Sequence, residues 1–340
     1  MPEALDTTDD RAALDLLVRG FQISRMLRLV ADIEIADRIE PDGHVAIDTL
    51  AGACGVQPQP LIRVLRALAA FNVFTVAADG SIGHTQRSRL LRTDIPNSMH
   101  HSARFWAAPG SWAAWAMLDA AMTGGVPQVA AWNTERFAYL RAHPDEARGF
   151  DAMMANFPDN RHAAVASVYD FSGAGLIADI GGGNGEALRR ILARFPEPRG
   201  LLFDRDDVVS AIQPEDLLGG RISAVGGSFF DGIPPGADFY LLIRVLHNWP
   251  DADCLRILRA CRTVMGPQAL LLVIDQVLEP DPTRGQPTSY LVDTQRMAMF
   301  GTARERTRDE FASLLSGAGF TPRRVIPTQS PVWIVEAAPS

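Results

Sequence analysis

The chain has 340 residues, of which 47% are hydrophobic, and a formal net charge of −8. This length is enough for two domains that each bury a core, while no apolar run is long enough to span a membrane. The acidic balance argues against a nucleic-acid partner, because binding phosphate groups requires a basic surface.

The chain begins with a polar, acidic segment and continues into a helical pattern. Residues 1–10 lack the basic and apolar regions of a secretory signal, and Cys54, Cys254 and Cys261 show no metal-site spacing. We therefore expect a cytoplasmic protein. Over residues 11–40, apolar side chains recur at three- and four-residue steps, which predicts helical structure.

Two further helices and a hairpin follow. The apolar spacing predicts helices at 46–54 and 59–71, and the segments 73–76 and 81–84 flank a turn of the kind that closes a short hairpin. Three helices followed by a hairpin indicate a winged-helix arrangement. Because the chain lacks a basic face, we interpret this region as a dimerisation domain rather than a DNA-binding one.

The middle of the chain is helical in pattern and rich in large apolar side chains. Residues 102–168 contain several tryptophan, phenylalanine and methionine residues, which suit either a helical core or the wall of a pocket for a flat substrate. We predict three regions: a dimerisation domain over 1–101, connecting helices over 102–168, and a cofactor-binding domain over 169–340.

From residue 174 onward, strands and helices alternate. The predicted strands are 176–180, 200–203, 222–225, 238–243, 269–274 and a final strand or pair within 321–337. The predicted helices are 185–194, 206–212, 252–265 and 308–318. Repeated β–α units of this length predict an α/β fold, namely a Rossmann-like, doubly wound sheet with helices on both faces.

The most informative motif is the glycine loop at 181–185, which follows an apolar strand and precedes a helix. Bare backbone N–H groups at the start of a helix favour a nucleotide or nucleoside ligand. A dinucleotide fingerprint has glycines at its first, third and sixth positions. Gly181 and Gly183 satisfy two of these positions, but the sixth is Glu186, which disfavours NAD or FAD.

Two acidic residues beside the loop point to a different cofactor. Asp179 precedes the glycines and would either hold the loop or bind an ammonium group. Asp204 ends the next strand and suits the hydroxyls of a ribose. The alternative for Asp204 is a simple helix cap. Phe229, in the segment after the third strand, suits either an adenine ring or the core. Together these features favour S-adenosylmethionine, which has a cationic end, a ribose and no pyrophosphate.

At this point the sequence resembles the small-molecule O-methyltransferases related to plant caffeic-acid enzymes and their bacterial polyketide and pigment counterparts. The matching segments, in the family's order and spacing, are Asp-Ile-Gly-Gly-Gly-Asn-Gly (179–185), Phe-Asp (203–204), Gly-Ser-Phe-Phe (227–230), Val-Leu-His-Asn-Trp-Pro-Asp (245–251) and Arg-Glu-Arg-Thr (304–307). The resemblance implies a winged-helix-like homodimerisation domain and methylation of a hydroxyl on an aromatic or polyketide-like small molecule.

The resemblance also implies a catalytic trio. The general base of the family falls on His247, which follows a predicted strand at the sheet edge where ligands bind. An imidazole can accept a hydroxyl proton near neutral pH. By resemblance, its acidic partners are Asp275 and Glu305, although each could instead be a strand cap or a surface charge.

The remaining site residues come from the same comparison of motifs. The expected cofactor-binding residues are Asp179, Gly181, Gly183, Asp204, Ser228, Phe229, Arg244 and Trp249. The expected residues of the substrate pocket are Phe150, Met154, Phe157 and Met297. Ser228 and Asn248 stand where the family usually has aspartate, and Ile243 where plant enzymes have lysine.

No group of side chains has metal-site spacing, so we expect methyl transfer without a metal ion. Two other functions remain open. A family member can bind the cofactor and catalyse a hydroxylation, a decarboxylation or a pericyclic step instead of methylation. A ligand-responsive DNA-binding regulator is the other alternative, with Arg63 and Arg66 as its phosphate contacts, and the acidic charge disfavours it.

Overall fold

The structure, a computed structural model, describes residues 8–156 and 161–340. These residues form two compact units, and each is considered by itself. The first contains residues 8–120 and 127–156, and the second contains Ala121–Val126 and residues 161–340. The domain boundaries after residues 101 and 168 remain predictions. Among the described residues, no helix combines the length and apolarity that a membrane crossing would need.

The first unit is mostly helical. Its helices are α1 (Thr8–Val18), α2 (Gly20–Asp32), α3 (Ile47–Cys54), α4 (Pro58–Ala69), α5 (Gln86–Arg89), α6 (His100–Trp106), α7 (Pro109–Ala116), α8 (Pro127–Trp132), α9 (Arg136–Ala142) and α10 (Pro144–Asn156). Its strands are β1 (His44–Val45), β2 (Phe74–Val76) and β3 (Ile82–His84).

The first unit contains the predicted winged-helix arrangement. Strands β2 and β3 form the expected hairpin, and the two-residue strand β1 extends it to an antiparallel sheet with the order β1-β3-β2. The helical pattern over 11–40 is divided, since α1 ends at Val18 and α2 ends at Asp32. Just beyond α2, Glu34 has a left-handed backbone conformation (φ 54°), which no regular helix can continue.

The second unit alternates strands and helices. Its helices are α11 (Arg161–Val168), α12 (Glu186–Arg194), α13 (Asp206–Val209), α14 (Asp251–Val264), α15 (Pro287–Phe300) and α16 (Arg308–Gly317). Its strands are β4 (Leu176–Ile180), β5 (Arg199–Asp204), β6 (Ile222–Gly226), β7 (Phe239–Ile243), β8 (Leu270–Leu278), β9 (Arg306–Thr307), β10 (Phe320–Pro327) and β11 (Val332–Pro339). Four 3-10 helices complete the description: Ile35–Arg38, Leu118–Thr123, Pro214–Gly220 and Leu246–Asn248.

The strands of the second unit form one sheet with the order β10-β11-β8-β7-β4-β5-β6, and β9 pairs with β8. Neighbours from β8 to β6 are parallel, whereas β11 runs antiparallel to both β8 and β10. Separate clusters of buried apolar residues cover the sheet's two faces. The doubly wound fold predicted from the sequence is therefore confirmed, and the final strand is a pair.

Two elements of this unit are absent from the sequence prediction. Helix α15 follows a segment rich in proline and glycine, and its own residues show little separation of apolar and polar faces. Strand β9 has only two residues. Neither element therefore shows the hydrophobic periodicity by which helices and strands are recognised in a sequence. Helix α15 matters for function because it carries a charged residue of the candidate site.

Candidate active site

The carboxyl end of β4 lies where the strand order of the sheet reverses. Strand β4 pairs with β5 on one side and with β7 on the other, and both pairings are parallel. In open sheets of this kind, ligands bind in the crevice at such a reversal point. The glycine loop at 181–185 follows β4 directly, and the segment with His247 follows β7. Both motifs found in the sequence therefore belong to the same edge of the sheet.

Backbone conformation explains the glycines. Gly181, Gly183 and Gly185 have φ values of 74°, 58° and 78°, in the left-handed region that other residues seldom adopt. A Cβ atom on Gly182 would lie 2.4 Å from Cδ1 of Leu202, so packing excludes a side chain there. A Cβ on Gly183 would meet no atom within 4 Å, and this residue borders a cavity.

The cavity is formed entirely by the second unit. Its lining residues are His162, Asp179, Gly181, Gly182, Gly183, Asn184, Ala187, Ile243 and Arg244. Asp179 is 1% exposed, and neither of its carboxylate oxygens has a hydrogen-bond partner among the described residues. Burial, and secondarily the charge of Asp204, raises the pKa of Asp179 to about 7. A cationic group of a ligand would relieve this unpaired charge.

Asp204, at the end of β5, holds the glycine loop. Its Oδ2 accepts a hydrogen bond from the backbone N–H of Gly183 at 2.8 Å, and its Oδ1 accepts one from the N–H of Arg205 at 2.7 Å. The side chain is only partly buried. A carboxylate oxygen can accept more than one hydrogen bond, so these contacts are compatible with the predicted contact to a ribose.

The predicted residues after β6 form a turn and an aromatic cluster. Ser228 Oγ accepts a hydrogen bond from the N–H of Phe230 at 3.2 Å, which stabilises the turn. The ring of Phe229 lies 4.8 Å from that of Phe230 and 5.7 Å from that of Trp249, in edge-to-face orientations. A Cβ on Gly181 would lie 4.0 Å from Phe229, so this cluster adjoins the glycine loop.

His247 and Asp275 are in direct contact. His247 lies in the 3-10 turn that follows β7, and Asp275 lies on β8, the neighbouring strand. The Nδ1 atom of His247 is 2.9 Å from Oδ1 of Asp275, and the backbone N–H of His247 donates to Oδ2 at 3.3 Å. Both side chains are buried, His247 at 6% exposure and Asp275 at 0%. Asp275 thus binds both the ring and the backbone of His247.

Burial determines the charge state of this pair. It lowers the pKa of His247 to about 4; the nearby Arg244 lowers it further, and the charge of Asp275 opposes the shift. The pKa of Asp275 is below its ordinary value because His247 and Arg244 outweigh burial. At neutral pH the histidine is therefore neutral and the aspartate ionised. A neutral imidazole beside a carboxylate carries its proton on Nδ1, and Nε2 keeps its lone pair.

Glu305 lies close to this pair but is bound by arginines. One ring nitrogen of His247 and one carboxylate oxygen each of Asp275 and Glu305 all lie within 4.8 Å of one another. Glu305 Oε1 accepts from Nη2 of Arg244 at 3.0 Å and from Nε of Arg296 at 2.6 Å. Because two guanidinium groups occupy its carboxylate, we interpret the cluster as an ion-pair network.

The predicted pocket residues belong to different parts of the chain. Phe150 lies on α10 in the first unit, where its ring is 5.3 Å from the ring of Phe105. Met297 lies on α15 in the second unit and is half-buried. Phe157 and the side chain of Met154 lie outside the described residues. The substrate pocket therefore stays a prediction.

Comparison with known families assigns the chain. A family model for the O-methyltransferase domain matches residues 115–321, and a model for the O-methyltransferase dimerisation domain matches residues 16–94. The chain belongs to the O-methyltransferase family. The first match includes the glycine loop, the histidine pair and the arginine-bound glutamate, so this O-methyltransferase presents these residues within the family's own domain.

Three similar proteins illustrate the range of acceptors. The phenazine O-methyltransferase PhzM of Lysobacter antibioticus is 36% identical over 95% of this chain and 94% of its own. The phenazine-1-carboxylate N-methyltransferase of Pseudomonas aeruginosa is 31% identical over 91% and 92%. The O-methyltransferase NcsB1 of neocarzinostatin biosynthesis, solved with S-adenosylmethionine and 2-hydroxy-5-methyl naphthoic acid, matches with a TM-score of 0.76 and 29% identity over 94% and 96%.

S-adenosylmethionine is therefore the cofactor of this O-methyltransferase, and the cavity at the glycine loop suits it. The unpaired carboxylate of Asp179 offers a partner for the cofactor's ammonium group. The open space at Gly183 leaves the backbone accessible to a ligand.

Several residues of the site were not predicted from the sequence. Arg296 joins the network from α15, a helix that periodicity does not show. Asn248 links Arg296 to the backbone, and His162 and Asn184 line the cavity. Arg244 was expected at the cofactor; it does line the cavity, but its guanidinium also binds Asp275 and Glu305. A positively charged residue directly before the histidine turn was the only sequence signal for this network.

Proposed function

We propose that this O-methyltransferase transfers the methyl group of S-adenosylmethionine to a hydroxyl group of an aromatic or polyketide-like small molecule, with His247 as the general base. The acceptor class is supported by the similarity to enzymes whose names specify phenazine and naphthoic acid compounds. The role of His247 is supported by its contact with Asp275. That contact is the observation on which the mechanism depends.

The geometry of the pair suits removal of a hydroxyl proton. Oδ1 of Asp275 accepts a hydrogen bond from Nδ1–H of His247 at 2.9 Å, which leaves Nε2 as the basic nitrogen. This bond orients the ring, and the bond from the backbone N–H to Oδ2 fixes the residue that carries it. A carboxylate in this position fixes the tautomer and stabilises the imidazolium that forms.

When bound, S-adenosylmethionine supplies a methyl group activated by a positively charged sulfur. As the acceptor oxygen forms its bond to the methyl carbon, the carbon–sulfur bond breaks and its electron pair stays on sulfur. The hydroxyl proton passes to Nε2 of His247. The protein's contribution is to align the acceptor oxygen with the methyl group and to accept that proton in a site shielded from water.

The cofactor-binding residues are proposed from their surroundings. Asp179 would pair with the ammonium group and Asp204 with the ribose, while Gly181 and Gly183 would allow close approach of the backbone. The aromatic cluster of Phe229 and Trp249 adjoins this loop and would supply a flat apolar surface for the adenine. Ser228 and Arg244 would act by fixing the adjacent turn and the catalytic network.

The pocket for the acceptor is proposed to include Phe150, Met154, Phe157 and Met297. Flat aromatic acceptors bind well between large apolar side chains, because their area is removed from water on both faces. The related N-methyltransferase makes an amine or ring nitrogen the second acceptor to test. A ring nitrogen has no proton to remove, whereas a hydroxyl must lose one, so the buried, neutral His247 favours a hydroxyl over a ring nitrogen.

The test combines product analysis with a base variant. The enzyme is incubated with S-adenosylmethionine and a panel of hydroxy- and amino-substituted phenazines, benzoates and naphthoates, and products are identified by mass spectrometry. We expect methyl ethers. His247→Ala should lower kcat by roughly 10²–10⁴ if general-base catalysis operates, with unchanged affinity for S-adenosylhomocysteine by calorimetry. A methylated amine alone, or a product without an added methyl group, would contradict the proposal.

A control and a pH profile sharpen this test. His44→Ala removes an exposed histidine on β1 and should leave kcat unchanged. Because His247 must be neutral to accept a proton, activity should persist below the ordinary histidine pKa and decline only as the pH approaches about 4. Full activity of His247→Ala would refute the assigned role.

We also propose that the chain forms a homodimer through its first unit. Several large apolar side chains on α1 and α2 are exposed, among them Leu17 at 77%, Val18 at 67% and Phe21 at 57%. Exposed apolar surface of this kind marks association sites. Phe21→Asp should convert a dimer into a monomer in sedimentation experiments, and a wild-type monomer would exclude the proposal.

A further inference from the structure

The carboxylate of Glu305 is bound between two arginines. Arg244 donates from Nη1 to Oε2 at 3.1 Å and from Nη2 to Oε1 at 3.0 Å. Arg296 donates from Nε to Oε1 at 2.6 Å. The Glu305 side chain is 0% exposed, so these charge-assisted bonds form away from water. The carboxylate of Glu305 is therefore hydrogen-bonded to the two arginines and not to the imidazole of His247.

Arg244 connects Glu305 to the aspartate that holds the histidine. Its Nη1 atom, already bound to Glu305, also donates to Oδ1 of Asp275 at 2.6 Å. Oδ1 of Asp275 is the same atom that lies 2.9 Å from Nδ1 of His247. The guanidinium of Arg244 thus bridges the buried carboxylates of Glu305 and Asp275, and the carboxylate of Asp275 is hydrogen-bonded to the imidazole of His247.

The backbone of Arg244 is constrained to make this bridge. Its φ is +55°, a left-handed conformation that costs a non-glycine residue about 1–2 kcal/mol. Its N–H donates to the carbonyl of Ile274 on β8 at 2.9 Å. Such conformations persist where surrounding contacts hold them, and they occur often at functional sites.

Asn248 and Arg296 close the network from the other side. The Nδ2 atom of Asn248 donates to the carbonyl of Arg244 at 3.2 Å, and its Oδ1 accepts from Nη1 of Arg296 at 3.3 Å. An amide can donate and accept at once, whereas the aspartate usual at this position in the family could only accept. Asparagine can therefore bind the carbonyl of Arg244 and the guanidinium of Arg296 at the same time.

We propose that Glu305 supports His247 indirectly: Glu305 anchors Arg244 and Arg296, and Arg244 in turn fixes the orientation of Asp275 against the imidazole. Arg244, Arg296 and Glu305 are then positioning residues. This inference rests on the proposed role of His247 as the base. It differs from the direct pairing of Glu305 with His247 that the family resemblance implies.

The charges around His247 agree with this arrangement. The charged groups that interact with it are Asp275 on β8, Arg244 after β7, Arg296 on α15 and Glu305 before β9. Two cations and two ionised carboxylates balance in the inner network. The N–H of Glu305 is held by Oδ1 of Asp293 at 2.7 Å, which fixes the backbone that carries the anchor.

A double-mutant cycle tests the connection. Arg244→Met and Glu305→Gln should each lower kcat roughly ten- to a hundredfold. This range corresponds to the coupling energies found between residues of one ion-pair network. If Glu305 acts through Arg244, the double variant should lose no more than about twofold beyond Arg244→Met alone. Losses that multiply in the double variant would overturn the proposal, because Glu305 would then act independently of Arg244.

The cycle also guards against misfolding. Arg244→Met leaves two buried carboxylates unpaired, whereas the double variant removes one charge of each sign. Should Arg244→Met not fold, Arg244→Lys takes its place. Lysine keeps the charge but is a point donor that lacks the planar fork, so we expect it to lose at least tenfold in kcat on the same scale. A lysine variant with full activity would overturn the bridging role.

A spectroscopic measurement separates this inference from the proposed function. With S-adenosylhomocysteine bound, the Nδ1 proton of His247 should give a low-field NMR signal, assigned by its loss in His247→Gln. Arg244→Met and Glu305→Gln should shift or abolish this signal, since both release Asp275. An unshifted signal in Arg244→Met would overturn the inference, whereas an active His247→Ala would refute only the base.

A matched control addresses general disturbance of buried charge. Arg324→Met removes the arginine that binds Glu336, another buried carboxylate, on strands β10 and β11. It should leave both kcat and the His247 signal unchanged, even if stability falls. If Arg324→Met moved the signal as much as Arg244→Met does, loss of any arginine bound to a buried carboxylate would explain the effect and the proposal would fail.

Discussion

The carboxylate of Asp179 is expected to lower the free energy of unfolding of the cofactor-free protein and to strengthen binding of the cofactor. Its carboxylate is buried without a partner among the described residues, and burial raises its pKa from 3.8 to about 7. A shift of this size corresponds to about 4 kcal/mol against the ionised form. Asp179→Asn removes the charge and keeps the shape, so it should stabilise the free protein at alkaline pH.

The size of this gain depends on pH in a defined direction. Because the folded-state pKa is raised, the folded protein binds the proton more tightly than the unfolded chain, and stability falls as the pH rises from 3.8 towards 7. Relative to wild type, Asp179→Asn should gain about 2–4 kcal/mol near pH 8, after the desolvation of its own amide is included. Near pH 4.5 the gain should shrink to about 1 kcal/mol or less.

The assay is urea unfolding of both proteins at the two pH values, with calorimetry of S-adenosylhomocysteine binding. The variant should bind roughly ten- to a hundredfold more weakly, since it lacks a charge-assisted bond to the ammonium group. Asp238→Asn, at the opposite end of β4, removes a carboxylate that accepts from two backbone N–H groups and serves as control. A variant less stable than wild type near pH 8, or a gain independent of pH, would refute the reasoning.

Three further outcomes follow from the site. Arg306→Met should lower the free energy of unfolding by about 2–5 kcal/mol, measured by thermal melting. The fully buried Arg306 donates to the backbone carbonyls of Leu246 and Trp249, which the variant leaves unpaired, and it also binds the half-exposed Asp251. A loss under about 1 kcal/mol would contradict this expectation. Gly182→Ala should destabilise the fold, since its Cβ would lie 2.4 Å from Cδ1 of the buried Leu202. Gly183→Ala, where the Cβ meets open space, should lose only about 1–2 kcal/mol in stability, the cost of an alanine at φ +58°, and should chiefly weaken cofactor binding. Equal stability losses in the two alanine variants would contradict the distinction between packing and cavity.

The fold of the second unit could be predicted well because its signals are local. Apolar runs such as 176–180 and 238–243, each followed by a helical stretch, specify strands buried on both faces of a parallel sheet. Helix α15 and the short strands β1 and β9 could not be found this way. Their residues show no periodicity, and their place is set by packing against elements distant in the chain.

Only part of the candidate site could likewise be predicted from the sequence. The glycine loop and the acidic residues Asp179 and Asp204 are close in sequence to the strand ends that position them, so their place in the candidate site could be predicted from their order in the chain. The partners of Glu305 could not. Arg244 precedes it by about sixty residues, and Arg296 lies on the unrecognised helix α15.

The sequence by itself determined the fold class and the cofactor class, and it singled out His247 as the candidate base, because short motifs at strand ends encode local backbone geometry and chemistry. Only the tertiary structure decided which charges meet. His247, Asp275, Arg244, Glu305 and Arg296 come from four separate segments, and their pairing depends on how strands β7 and β8 and helix α15 pack. Distances between such groups are set by the whole unit, and no local pattern in the chain records them.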